Sequence, residues 1–326
     1  MHITVIATAL AESSMNAAVV HEYGGPEVLK IEQVARPEPE ENQMLVRVIA
    51  CGVNPADPLI VSGRFAKEFG TRLPLIPGYD VAGVVEKTGA NITRFKVGDA
   101  VYGYALMGGG WAEYAVLADD EPALKPKSLS FVEAAAVPLA ALTAWQALVD
   151  ATNLSAGQTI LIHGGSGGVG GFAVQLAKAR GARVIATASK ANQDLLKQLG
   201  ADVAVDYTTA KFEDVAKDVD VVLDPVGGET MTRSYDVLKR GGVIATSRSR
   251  PDPAELEKRG IRGAPMAVHP DAEDLVEISQ LIEAGKIKPI VTQVLPLSDA
   301  AKALAQAATR HTRGKMVIKL ADEPLR

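Results

Sequence analysis

Gly165-Ser166-Gly167-Gly168-Val169-Gly170 carries glycines at the spacing G-x-G-x-x-G, and its position gives that spacing a chemical meaning. Before it stand Thr159-Ile160-Leu161-Ile162, four residues of strand character. After it Val169, Phe172, Ala173, Leu176 and Ala177 recur at helical spacing. Glycine between a strand and a helix serves a bound pyrophosphate in three ways: it permits the tight turn, lets the backbone approach the phosphates, and lets helix and sheet pack closely. The free N–H groups and the positive dipole end of the new helix then face the phosphates. A glycine-rich turn alone means little. Between strand and helix, with β/α alternation downstream, it reads as a dinucleotide site.

The next strand bears on which dinucleotide. It runs Arg183 to Ala188 and gives Ser189-Lys190. An Asp or Glu at this point would accept bonds from the ribose 2′-OH. A hydroxyl and an ammonium instead suit a 2′-phosphate. The plain alternative is a solvated loop lysine. The expectation is NADPH over NADH.

Composition narrows the field. The chain has 326 residues, a prior for about two domains, and a net charge of −5. Nucleic acid or an anionic membrane usually leaves a basic footprint, so neither partner is expected. One cysteine, Cys51, allows no intrachain disulfide and no thiolate zinc cluster, and the five histidines are scattered. No apolar run approaches the roughly 20 residues that span a bilayer, and the default location is cytoplasmic. Residues 1–14 lack the basic start of a signal peptide and read as a poorly ordered extension.

These side chains need elements to position them. Residues 15–138 look β-rich: a hairpin around Gly24-Gly25-Pro26, then strands at Leu45–Cys51, Asp80–Thr88, Ala100–Tyr104 and Trp111–Leu117. Gly83 inside its strand signals a close approach or bulge. Many short strands with Gly/Pro punctuation suggest a compact rolled sheet. A helix over Ala140–Ala151 precedes the organising strand. Strands follow at Arg183–Ala188, Val203–Asp206, Val219–Leu223, Val243–Thr246 and Pro265–Val268, with helices including Gln193–Leu199 and Thr230–Leu238 between them. The polar, Pro-interrupted stretch from Ser247 to Gly263 is expected to be less regular. This alternation predicts a six-stranded doubly wound parallel sheet. The tail, with helices Asp271–Glu283 and Asp299–Ala308 and strands Val291–Leu295 and Lys315–Leu320, is expected to return to the first domain and leave a cleft between the two.

Landmarks standing in order then carry a resemblance: GGPEVL (24–29), GVNPADPLIVSGRF (52–65), PLIPGYDVAGVVEKTG (74–89), FKVGDAVYG (95–103), GGWAEYAVL (109–117), LTAWQAL (142–148), GGSGGVGGFAVQLAK (164–178), LGADVAVDY (199–207), DPVGG (224–228) and GKMVI (314–318). From Met15 onward the chain resembles the zinc-free quinone oxidoreductase-like branch of the medium-chain dehydrogenase/reductase superfamily. Alkenal and enone reductases of that branch share the pattern equally well. The resemblance implies an α/β protein with a GroES-like β-rich catalytic domain over 15–138 and 271–326. A doubly wound Rossmann NADPH-binding domain would span 139–270. It also implies a homodimer paired across the edge strand Pro265–Val268.

Zinc-bearing relatives carry a cysteine where this chain has Asn54 and a His-Glu pair where it has Tyr79-Asp80, and the four-cysteine structural cluster is missing. Zinc needs about four N, S or O ligands, so no metal is expected. Without it, the simpler chemistry is hydride delivery to a quinone, or to the β-carbon of an α,β-unsaturated ketone or aldehyde, with the protein mainly orienting the reactants.

Asn54 matches the family position beside the nicotinamide ribose, and Asp57 lies a turn further on. A turn Asn before Pro55 and an Asp at a helix start are the bland alternatives. Tyr207 matches a tyrosine facing the 2′-phosphate, or is an ordinary strand-end aromatic. Thr143 lies in a segment resembling a cofactor-contacting helix, and Gly314 and Lys315 fall where the tail returns near the cofactor. Related enoyl reductases place a tyrosine where this chain ends Ser62-Gly63-Arg64-Phe65. Tyr79 is the nearest substitute as proton donor, with filling of the vacant metal space the alternative. Competing readings are an enoyl-thioester reductase, for which Arg64, Lys67 and Arg72, interleaved with Glu68, are the only nearby basic cluster, and a non-catalytic NADPH-binding sensor or structural protein.

Overall fold

The computed structural model describes residues 14–66, 70 and 72–323. The chain divides into two compact units. Among the described residues, one comprises those from Ser14 to Leu139, Pro270–Ser279 and those from Val291 to Glu323; the other comprises Ala140–His269 and Gln280–Ile290. The strands in chain order are β1 (Ser14–Val20), β2 (Leu29–Ala35), β3 (Gln43–Val53), β4 (Asp80–Thr88), β5 (Ala100–Tyr104), β6 (Tyr114–Ala118), β7 (Pro122–Leu124), β8 (Thr159–Ile162), β9 (Arg183–Ala188), β10 (Val203–Asp206), β11 (Val219–Asp224), β12 (Leu238–Thr246), β13 (Arg262–Pro265), β14 (Val291–Pro296) and β15 (Lys315–Lys319).

The first unit holds the β1-β2 hairpin and a seven-stranded sheet ordered β14-β15-β3-β4-β5-β7, with β6 also on β3. β3 is its spine. Nine of its eleven residues are buried, a run without alternation, as expected where both faces of a strand are covered. Gly83 answers a close approach, because a Cβ there would stand 2.2 Å from the Arg47 carbonyl oxygen on β3. The expected strand from Trp111 starts later, at Tyr114. The amides of Gly109, Gly110 and Trp111 are spent on the carbonyls of Ile76, Gly78 and Pro77 rather than on a ladder. Ser14, assigned to an N-terminal extension by sequence, opens β1; residues 1–13 lie outside the described ones.

The second unit is a parallel sheet ordered β10-β9-β8-β11-β12-β13, the doubly wound 3-2-1-4-5-6 arrangement. β8 lies where the strand order reverses, the place at which such sheets bind ligands beyond their carboxyl ends. Two expectations fail here. The edge strand is Arg262–Pro265 rather than Pro265–Val268, its register against β12 ending at Thr246–Pro265. The stretch expected to be irregular contains a helix, Pro253–Arg259. Asp252 caps it through a 3.0 Å bond from the Ala254 amide, Pro253 occupies its first turn, and Gly260 at φ +62° closes it. Gln280–Ile290 groups with this unit and not with the first. Its anchor is the buried Gln175, whose amide exchanges two 3.0 Å bonds with the backbone of Lys288. Among the described residues no helix is long and apolar enough to cross a membrane.

Candidate functional site

In the parallel-sheet unit β8 runs straight into the glycine turn. The His163 amide bonds Leu223 on β11 and the Gly165 amide bonds Thr187 on β9, so the neighbouring strands fix the turn from both sides. The helix Gly168–Ala179 starts from Gly167 with no side-chain cap. The amides of its first turn have no partner within the helix, and residues 166–169 are only half-buried. Gly170 carries the steric demand, since a Cβ there would lie 2.2 Å from the Gly164 carbonyl oxygen. Gly165 carries the packing, its missing Cβ leaving room for Leu196 and Ala186. An uncapped helix start on a glycine-rich cradle fits a pyrophosphate.

Ser189, Lys190 and Tyr207 gather at the adjacent ends of β9 and β10. Ser189 is half-buried, Lys190 and Tyr207 are exposed, and the Tyr207 amide bonds the Ala188 carbonyl. The only carboxylate at these two strand ends is Asp206. Its oxygens accept from the Thr208 hydroxyl and amide and the Thr209 hydroxyl, which, with the charge of Lys190, hold its carboxyl below the usual range. Thr143, of the same unit, is buried on the helix Pro138–Trp145.

The first unit holds the other group. β15, β3 and β4 are neighbours, with Met316 opposite Val53 and Gly52 opposite Asp80. This register brings Lys315, Asn54 and Asp80 together. The Lys315 ammonium donates to Asp80 Oδ2 at 2.9 Å and to Asn54 Oδ1; Asn54 Nδ2 donates to the same Asp80 oxygen at 2.9 Å; and Asp80 Oδ1 accepts the Leu139 amide at 2.7 Å. All three side chains are buried. Because the lysine can only donate and the ionised aspartate can only accept, the Asn54 amide has one orientation. Gly52 makes room, for a Cβ there would meet Asp80 Oδ2 at 2.8 Å and the Ala135 carbonyl at 2.3 Å. Gly314, at φ +56°, precedes Lys315 in a left-handed turn.

Asp57 opens the short helix Asp57–Val61 beneath this cluster. Its Oδ2 accepts the Asn54 amide at 2.6 Å, while Oδ1 is buried without a properly aligned donor. Burial raises its carboxyl to about 7, against the opposing pull of the Asn54 amide and Lys315. A carboxyl raised in the folded state stabilises the fold below its unfolded value near 3.8, and that contribution is lost as pH rises through 7. Stability should therefore fall by on the order of 2 kcal/mol from pH 4 to 7.5, half the full conversion, because a buried carboxylate recruits local relaxation. Asp57→Asn should flatten that part of the curve in urea melts; an unchanged slope would remove Asp57 as its source.

Tyr79 is buried against Tyr104, edge to face at 6.5 Å. It lines a pocket of about 530 Å³ with Arg72, Leu75, Ile76, Leu106 and Met107. Burial foremost, then the Asp57 carboxylate, raises its phenol, which stays protonated and can donate only to a strong base such as an enolate. Arg64 and Arg72 are exposed, whereas Lys67 and Glu68 of the expected basic cluster lie outside the described residues.

Zinc does not suit these donors. An ammonium stands on Asp80 and Asn54, and Cys51 is buried, its thiol raised by desolvation and bonded to the Gly52 carbonyl. No three His, Cys, Asp or Glu side chains group as a metal set among the described residues.

Family models for an alcohol dehydrogenase GroES-like domain and for a zinc-binding dehydrogenase match residues 40–127 and 199–318. An NADPH-dependent alkenal/one oxidoreductase of Arabidopsis thaliana, chloroplastic, is 39% identical over 97% of this chain and 82% of its own length. The chain belongs to the medium-chain dehydrogenase/reductase superfamily. Oxidoreductases of this superfamily use a nicotinamide cofactor, and both sheet architectures agree with membership. A quinone oxidoreductase of Sus scrofa is 34% identical over 96% of the chain and 100% of its own length. Among solved structures, the quinone oxidoreductase from Coxiella burnetii superposes with a TM-score of 0.88 at 35% identity, covering 94% of this chain and 99% of that one. One family model is named for zinc binding, yet in this chain the Lys315 ammonium engages both Asn54 and Asp80.

The expected site residues thus fall into two groups. Asn54, Tyr79, Gly314 and Lys315 belong to the β-rich unit. Thr143, Gly165, Ser166, Gly167, Gly168, Val169, Gly170, Ser189, Lys190 and Tyr207 belong to the parallel-sheet unit. Sequence reasoning gave Asp80 no role, although the structure makes it the hub of the first group. Its signal was a carboxylate opening a strand whose next five residues, Val81 to Val85, carry no polar side chain.

Proposed function

We propose that this protein is an NADPH-dependent reductase of quinones or of the activated C=C bonds of α,β-unsaturated ketones and aldehydes. The carrying observation is the end of β9, where an exposed lysine and a hydroxyl stand in place of a carboxylate, beside the uncapped helix of the glycine turn. The names of the Arabidopsis and pig relatives support the same reading.

Reduced nicotinamide supplies the hydride. The chain's part is to bind the pyrophosphate on the amides of Ser166 and residues 168–170, that of Gly167 being held by the Gly164 carbonyl, to pair Ser189, Lys190 and Tyr207 with the 2′-phosphate, and to set Asn54 against the nicotinamide ribose. With donors unsuited to zinc, no metal polarises the acceptor, which must itself be electron-poor. Tyr79 protonates an enolate if the acceptor is an enone; a quinone can take its protons from water. A cytoplasmic location and a homodimer belong to the same proposal.

The test is anaerobic NADPH consumption with a benzoquinone, a 2-alkenal, a cyclic enone and an enoyl thioester, each with an NADH control and product identification. Saturable turnover with a quinone, an enal or an enone supports the proposal. Turnover of the thioester alone would replace it with enoyl-thioester reduction. Tight binding without turnover would make the protein a sensor or structural binder. Lys190→Ala should raise the apparent NADPH constant about tenfold or more, the worth of a charge-assisted bond, and leave that for NADH unchanged. Equal effects on both would take Lys190 out of the phosphate site.

A further inference from the structure

We propose that Lys315 and Asp80 are positioning residues for the nicotinamide end of the cofactor, acting through Asn54; this rests on the function proposed above. A buried ion pair on a sheet commonly does no more than hold strands together. Three features of this one point further.

The pair does not close on itself. Both partners spend a hydrogen bond on the Asn54 side chain, one on each end of its amide. The Asn54 backbone is held separately by Asp57. An asparagine beside Pro55 in a turn needs none of this for its fold; fixing both its amide direction and its backbone serves an amide that must present a defined face to a ligand. Finally, the groups come from four distant parts of the chain: Asn54 after β3, Asp80 opening β4, Lys315 opening β15, and Leu139, whose amide secures the second Asp80 oxygen. Gly52 is left without a side chain where any Cβ would crowd the Asp80 carboxylate. A lysine here delivers positive charge to oxygen donors, as a metal would, but with directed N–H bonds and no vacant coordination position. Its role is to orient and not to activate.

Binding alone can test this. Dissociation constants of NADPH and NADH are measured by fluorescence titration for wild type, Asn54→Ala, Lys315→Met/Asp80→Asn and the triple variant. Removing both charges avoids stranding one of them, and thermal melts confirm that each variant is folded. If the pair acts through Asn54, the single and the double replacement each weaken NADPH binding about tenfold, and the triple is no weaker than either, a non-additivity of about 1.4 kcal/mol. Additive losses, about a hundredfold in the triple variant, would make the pair a strand clamp independent of Asn54 and overturn the inference. So would an Asn54→Ala variant that binds like wild type. If wild type binds neither dinucleotide, the proposed function falls as well; if it binds NADH alone, the same cycle is read with NADH and only the phosphate assignment is lost.

Discussion

Replacing Gly170 with valine should weaken NADPH binding at least a hundredfold, about 2.7 kcal/mol. The new Cβ would lie 2.2 Å from the Gly164 carbonyl oxygen, 2.7 Å from its carbon and 2.8 Å from the Gly165 Cα. All three are backbone atoms of the turn, so no side chain can swing away. Relief requires moving the helix start off the strand end, and that displaces the amides meant for the pyrophosphate. The adjacent Gly171 supplies the control. The nearest atoms to a Cβ there are Ile290 Cδ1 at 3.4 Å and two more at 3.8 Å, so Gly171→Ala should bind within about twofold of wild type, a difference below about 0.5 kcal/mol. Fluorescence titration of both variants reads the contrast. Wild-type affinity in Gly170→Val would show that the turn is not the phosphate cradle.

Lys315→Met should be the most destabilising of the single changes considered, at about 3–5 kcal/mol in urea unfolding. The reason is electrostatic and not volumetric. Asp80 is fully buried, and without the ammonium its charge is left with the amides of Asn54 and Leu139 alone. Adding Asp80→Asn should restore most of the loss, because a neutral amide asks far less of its surroundings than a stranded carboxylate. Destabilisation below about 1 kcal/mol in Lys315→Met would mean that water reaches Asp80 and that the pair is not the buried hub described above.

Much of this was legible along the chain. β4, β5, β8, β9 and β10 begin and end where alternation and turn residues put them, and the glycine turn announced itself because strand, turn and helix lie within about twenty residues. What escaped was of two kinds. The helix Pro253–Arg259 is locally signalled, by Asp252 and Pro253 before it and Gly260 after it, but a polar, Pro-interrupted stretch reads as less regular although Pro at a first turn favours a helix. Nothing local signalled that Asn54, Asp80 and Lys315 pair with one another. Asp80 and Lys315 are 235 positions apart, and only the register of β4 on β3 and β3 on β15 makes them neighbours. An isolated Asp, Asn or Lys looks the same in a sequence whether it is solvated or buried against its partner.

The return of Gln280–Ile290 to the parallel-sheet unit bears on how the chain is made. All six strands of that sheet leave the ribosome by Pro265, but the backbone that satisfies Gln175 arrives some twenty residues later, after the chain has passed through Pro270–Ser279 of the other unit. β15, which brings Lys315 to β3, comes later still. Neither unit can therefore finish as an independent N-terminal or C-terminal block in the usual domain-by-domain order. Until Lys288 has been made the Gln175 amide has only the Gly171 carbonyl of its own helix, and the Asn54–Asp80 group of the first unit lacks its cation until Lys315 has been made.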